Sequence, residues 1–265
     1  MSNSITEIFK IDKVGKGIAV KGIFAFLVLL RFSFLLLPDQ AYDFKAFEAF
    51  SRKIVKDPQL AYNLNPQDIP LSDWNCILIT CIVIFIYISI LAFCLYVGLF
   101  IRDVRLRNGK KGKAIKSSEL VSRLVILAVL IPFMYIPTMI FLLYLILLLI
   151  IIFPWLIMYP ACYLSGDSGL FGSISETYRK TRGYYAINVR NVCIILMVSF
   201  FIKTITSLVS EAAPAAGYIL NAFAETFILL CMARYAGLIY FKMIEAPFGI
   251  ARRPAPNSDN DALPS

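Results

Sequence analysis

A chain of 265 residues with 59% hydrophobic and 16% charged side chains and a mean hydropathy of +0.75 is too apolar for an ordinary soluble domain, which carries roughly 45–50% and about 25% of these classes. It reads as an integral membrane protein, an all-α polytopic helical bundle whose net charge of +9 is first a topology signal, so no nucleic-acid partner is expected. Histidine is absent, which removes His-Glu-x-x-His zinc sites, Ser-His triads and His-ligated haem; no cofactor, metal or catalytic residue is expected.

Crossing about 30 Å of hydrocarbon takes roughly 20 apolar residues at about 1.5 Å each. After a short segment, 1–16, the first predicted span covers 17–37 and stops at Pro38. Its length, its internal Lys21 and Arg31 and the Leu-Pro-Asp-Gln that ends it argue against a cleaved signal peptide. In the following loop, Tyr42 to Lys56 is amphipathic at helical period. Phe44, Phe47, Phe50, Ile54 and Val55 share one arc and Lys45, Arg52, Lys53 and Lys56 the other. A helix along the membrane interface and a cap over the bundle end both fit.

The second predicted span covers 76–101, and a basic loop follows with Lys110, Lys111 and Lys113. Its Gly109-Lys-Lys-Gly-Lys lacks the spacing of a phosphate-binding loop; topology retention or contact with anionic lipid is the expected role. From Leu124 to Leu164 no charge interrupts 41 residues, about 61 Å of helix and twice the hydrocarbon thickness. Two spans, 120–136 and 138–164, are expected to meet near Pro137, because proline removes a backbone donor and disfavours helix before it.

Between spans four and five, Leu170, Phe171, Ile174, Tyr178, Thr181 and Tyr185 are expected on one face, with Glu176, Arg179 and Lys180 turned away. This predicts a cytoplasmic elbow helix with Arg179, Lys180 and Arg182 at the membrane surface, as lipid contacts or as topology charges. Residues 176–185, Glu-Thr-Tyr-Arg-Lys-Thr-Arg-Gly-Tyr-Tyr, resemble a signature in the membrane domain attached to some glycerophosphoryl diester phosphodiesterases and in related bacterial inner-membrane proteins. The similarity covers roughly residues 154–206. It implies a six-helix membrane fold and brings no activity, since the chain has no soluble catalytic domain.

Spans five and six are predicted at 192–209 and 215–240, within a membrane domain of 17–247, followed by a disordered cytoplasmic tail, 248–265, rich in Pro, Asn, Asp and Ser. Small and polar residues of span six, Ala216, Asn221, Ala222 and Ala224, suit close helix contacts. Six crossings put 18 Lys and Arg on one side against four in the loop 39–74; both termini are therefore expected in the cytoplasm of a bacterial cell. The six cysteines lie within or at the ends of apolar stretches without a C-x-x-C pair, which suits packing.

Charges within spans cost about 2.5–3.5 kcal/mol each on the insertion scale and point to function or pairing. Lys21 lies close enough to the interface to snorkel. Arg31, Lys203 and Glu225 are expected at similar depths, roughly 17–24 Å from the cytoplasmic edge, and Arg234 at about 10 Å. Two readings follow. Paired with one another, these residues hold together a non-catalytic accessory or scaffold subunit with a membrane-protein or second-copy partner. Lining a wet cavity, their excess positive charge receives an anionic substrate or lipid in a small transporter or lipid-handling protein.

Overall fold

The computed structural model describes residues 7–15, 17–57, 59–60, 65, 68–107, 114–144 and 146–245, with backbone alone at 134–144, 146–151 and 153. All described regular structure is helical: α1 (Ile18–Phe32), α2 (Lys45–Lys56), α3 (Asp73–Arg107), α4 (Ser117–Tyr144), α5 (Ile146–Leu164), α6 (Leu170–Arg182), α7 (Tyr185–Ala212) and α8 (Pro214–Glu245). Among the described residues α1 with its 3-10 extension, α3, α7 and α8 are long and apolar enough to cross a membrane. The basic loop with Lys110, Lys111 and Lys113, and the tail from 246, lie outside the described residues.

Helix α8 is the axis of the bundle. In its most apolar stretch 67% of residues are buried, against 17–22% in α1, α3 and α7. These three helices therefore turn most of their apolar surface outward, as a lipid-solvated protein requires, and lean on α8 with the remainder. Close approach depends on Gly237, where an added Cβ would run into the Phe100 ring of α3, flanked by fully buried Ala233 and Ala236. Of the small residues expected to serve this purpose, Ala222 is buried and Ala216 is exposed. A second tight contact brings Gly98 of α3 against Leu120 of α4. Along α5, Trp155, Tyr159 and Tyr163 stack at successive turns with centroids 5.7 and 6.3 Å apart. Cys94, Cys162 and Cys231 are buried in the packing, whereas Cys76 and Cys193 are exposed.

The expected break near Pro137 is not where the helix ends: α4 runs through Pro132 and Pro137 to Tyr144. Proline at 132 leaves the Ala128 carbonyl without its usual donor four residues on. The Tyr87 hydroxyl of α3 donates to that carbonyl at 3.0 Å, so an interhelical bond supplies what the missing N–H would have given. The long uncharged tract nonetheless folds back. Arg123, near the start of α4, bonds the Tyr163 carbonyl at the end of α5, so the two helices run antiparallel.

At the opposite end of the bundle, α3 starts with a reciprocal cap. The Asn75 N–H reaches Ser72 Oγ at 3.2 Å and the Ser72 N–H reaches Asn75 Oδ1 at 3.0 Å. The Asn75 amide also donates to the carbonyls of Ala41 and Asp43, pinning the 3-10 turn Asp39–Tyr42 to α3. In α2 and at Phe44 just before it, Phe44, Phe47, Phe50 and Ile54 are half-buried, but Val55, expected with them, is 80% exposed.

Candidate functional site

Charged side chains inside or beside the apolar helices gather into three knots. The first joins α1, α7 and α8. Glu225 accepts Arg31 Nη2 at 3.2 Å on one carboxylate oxygen and Lys203 Nζ at 3.3 Å on the other, with Asn221 Nδ2 at 3.4 Å. The Arg31 guanidinium lies over the rings of Phe34 and Phe85, 5.4 and 5.2 Å from their centroids, and Tyr218 donates to the Arg31 carbonyl at 2.7 Å. Arg31 and Glu225 are each 24% exposed and Lys203 is 55% exposed. Two cations share one carboxylate, leaving one unit of positive charge. Beside this knot a cleft of about 260 Å³ opens between α1, α3 and α8, walled by Leu27, Phe85, Ile86, Ile90 and Leu229 and reaching Glu225.

Arg234 does not join that cluster. Nine residues separate it from Glu225 along α8, about 13 Å at helical rise, and it holds the N-terminal segment instead. Its Nε donates to the Glu7 carbonyl at 2.5 Å and its Nη1 to the Lys13 carbonyl at 3.4 Å, while the Glu7 carboxylate stands 3.5 Å away. The guanidinium also covers the Phe100 ring. Tyr96 donates to the Ile11 carbonyl at 2.9 Å, and Ile8 and Val14 are buried. The segment 7–15 is thus tucked into the bundle end by backbone contacts.

The third knot lies outside the charges that the sequence singles out. Arg105, 3% exposed, reaches from the last turn of α3 to the turn after α5. It makes a two-pronged contact with Asp167 at 2.5 and 3.1 Å and donates to the Ser165 carbonyl at 2.6 Å. Tyr240 of α8 completes it, accepting from Arg105 at 3.1 Å and donating to Asp167 at 2.8 Å. Burial alone would raise the Asp167 pKa; the hydrogen bonds from Arg105 and Tyr240 outweigh it and hold the carboxyl below its ordinary value. Gly166, at φ +84, makes the left-handed turn that ends α5 and presents Asp167. Arg123 donates to the carbonyls of Tyr163 and Ser168 at 2.7 and 2.9 Å. Two arginines therefore cap the negative end of one helix. A sequence signal existed: Asp167 is the only acidic residue between Glu119 and Glu176.

The elbow helix α6 presents Phe171, Ile174 and Tyr178 outward, with Arg179 and Arg182 also exposed. Its inward face is small and polar: Ser173, Thr177 and Thr181 are buried and bond to the helix's own carbonyls. Thr181 thus lies opposite its expected place. Lys180 also departs from the expected surface set, pairing with Glu176 and lying over the Tyr240 ring at 4.9 Å. Glu176 draws it in, being itself held by Ser168 Oγ at 2.7 Å. Among the described residues no three His, Cys, Asp or Glu side chains converge as a metal site would require. Comparison with protein-family models, with curated proteins and with solved structures finds no match.

Proposed function

We propose that this chain is a non-catalytic, multi-pass membrane protein serving as an accessory or scaffold subunit. The observation that carries the reading is the engagement of Glu225 by Arg31 and Lys203, which spends the intramembrane charges on joining α1, α7 and α8. Ions within apolar helices are retained where they pair and fix the packing. The proposal includes six crossings of a bacterial inner membrane with both termini cytoplasmic; the lysine and arginine distribution and the antiparallel α4 and α5 support it. The outward faces of α2 and α6, with Arg179 and Arg182, then lie at headgroup level. Kinship with the phosphodiesterase-linked membrane domain belongs to the same proposal and carries no activity.

Glu225→Gln tests the reading. It leaves two cations with no carboxylate, and loss of folded protein from the membrane fraction is expected. Normal abundance and normal detergent stability would overturn it. Crosslinking and mass spectrometry in native membranes should then capture a membrane-protein partner or a second copy. A lipid-handling or transport role for an anionic substrate is the competing reading, favoured by the cleft that reaches Glu225; it requires Glu225→Gln to insert normally and alter substrate flux.

A further inference from the structure

We infer that the cleft between α1, α3 and α8 holds an acyl chain of an anionic phospholipid whose phosphate lies against Arg31 and Lys203. This goes beyond the scaffold reading and does not depend on it. The cleft and the charge knot are continuous: Glu225 belongs to both, and Phe85, which lines the cleft, also carries the Arg31 guanidinium on its ring.

The cleft has a polar end and an apolar end in the order a lipid requires. Helix α1 rises toward the loop 39–74, and Leu27 precedes Arg31 by one turn. Helices α3 and α8 descend from that side, and their cleft residues, Ile86 to Ile90 and Thr226 to Leu229, lie deeper than Glu225 or level with it. The apolar walls therefore extend from the charges toward the bilayer midplane. Lys203 and Glu225 stand nine and eleven residues from the adjoining ends of α7 and α8. These helices measure about 42 and 48 Å and overhang about 30 Å of hydrocarbon. Shared between both ends, that overhang leaves the charges only about 7–8 Å below the hydrocarbon edge, where a lysine snorkels to the headgroups.

Charge selects the headgroup. Arg31 and Lys203 exceed Glu225 by one positive charge, and Lys203 is more than half exposed. A lipid of net negative charge supplies the missing counter-charge and an acceptor oxygen. A zwitterionic lipid supplies the oxygen without the charge.

The test uses the full chain in nanodiscs of phosphatidylglycerol with a photoactivatable acyl chain, adducts being mapped by mass spectrometry. Residues 85–90 and 226–229 should be labelled more heavily than the outward face of α7 at Leu196 and Met197. Ser89→Phe, or Leu229→Phe should the first variant not fold, fills the cleft and should remove those adducts while leaving the α7 adducts. Lys203→Gln should lower the preference for phosphatidylglycerol over phosphatidylcholine about fivefold, the effect of one basic residue near a headgroup. Cleft labelling no stronger than on α7, or unchanged by filling, overturns the site; equal labelling with phosphatidylcholine overturns the anionic assignment. The filling variants spare the ion pairs, so either failure leaves the Glu225→Gln outcome free to judge the scaffold reading.

Discussion

Tyr87 and Pro132 should be energetically coupled although they lie on different helices. The Tyr87 hydroxyl donates to the Ala128 carbonyl, which lacks an intrahelical donor because residue 132 is proline. Tyr87→Phe removes only the hydroxyl and leaves that carbonyl unpaired in an apolar setting. Interhelical hydrogen bonds in membranes average about 0.6 kcal/mol and reach about 1.7, while an orphaned polar group costs about 1–3 kcal/mol; a loss of about 1 kcal/mol is expected. In a Pro132→Ala background the alanine N–H can serve Ala128 itself, and Tyr87→Phe should then cost almost nothing. Reversible unfolding in mixed micelles of the four proteins gives the coupling free energy directly, expected at about 1 kcal/mol. Equal losses in both backgrounds would show that the tyrosine does not stand in for the proline's missing donor.

Other substitutions probe the remaining contacts. Gly237→Leu should destabilise by about 1–3 kcal/mol through collision with Phe100, and Phe100→Ala should recover part of the loss, read as thermal stability in detergent. Arg234→Met should release residues 7–15 to hydrogen exchange; Glu7→Gln should scarcely do so, because the stronger acceptor is the Glu7 carbonyl at 2.5 Å rather than its carboxylate at 3.5 Å. A similar response from both variants would contradict a backbone-held segment. Asp167 contributes stability that is fully present above its ordinary value of 3.8 and fades as the pH falls through its lower folded value. Exchange in residues 165–182 should therefore rise only at strongly acidic pH, and Asp167→Asn should remove that step.

How far the sequence could be read depended on what surrounds each residue. Arg31, Lys203 and Glu225 stand in apolar tracts where an unpaired charge is expensive, so their convergence was legible from depth alone. Arg105 and Asp167 lie just past the apolar stretches, where charges are ordinary, and Arg105 is buried because Asp167, the Ser165 carbonyl and Tyr240 of α8 close around it. Arg234 stands apart from the Glu225 cluster because its hydrogen bonds go to carbonyls of the N-terminal segment, which leave no trace in residue identity. The helix α4 also runs on through Pro137: backbone rules taken from water make proline a stop, yet at Pro132 in the same helix a neighbouring helix restores the lost pairing. Lys180 looked like a surface charge until Glu176 and Tyr240 were seen to draw it inward.

The heavy burial of α8 bears on the order in which the chain can mature. Helices α3, α4 and α5 touch one another and can settle as they leave the ribosome. By contrast, α7 packs mainly on α8, and the clasp on residues 7–15 comes from Arg234 within it. Those earlier segments must wait until α8, which follows them in the chain, arrives between them. Residues 7–15, made before the helices described above, are therefore among the last to be secured, and a chain stalled before α8 would leave a hollow assembly.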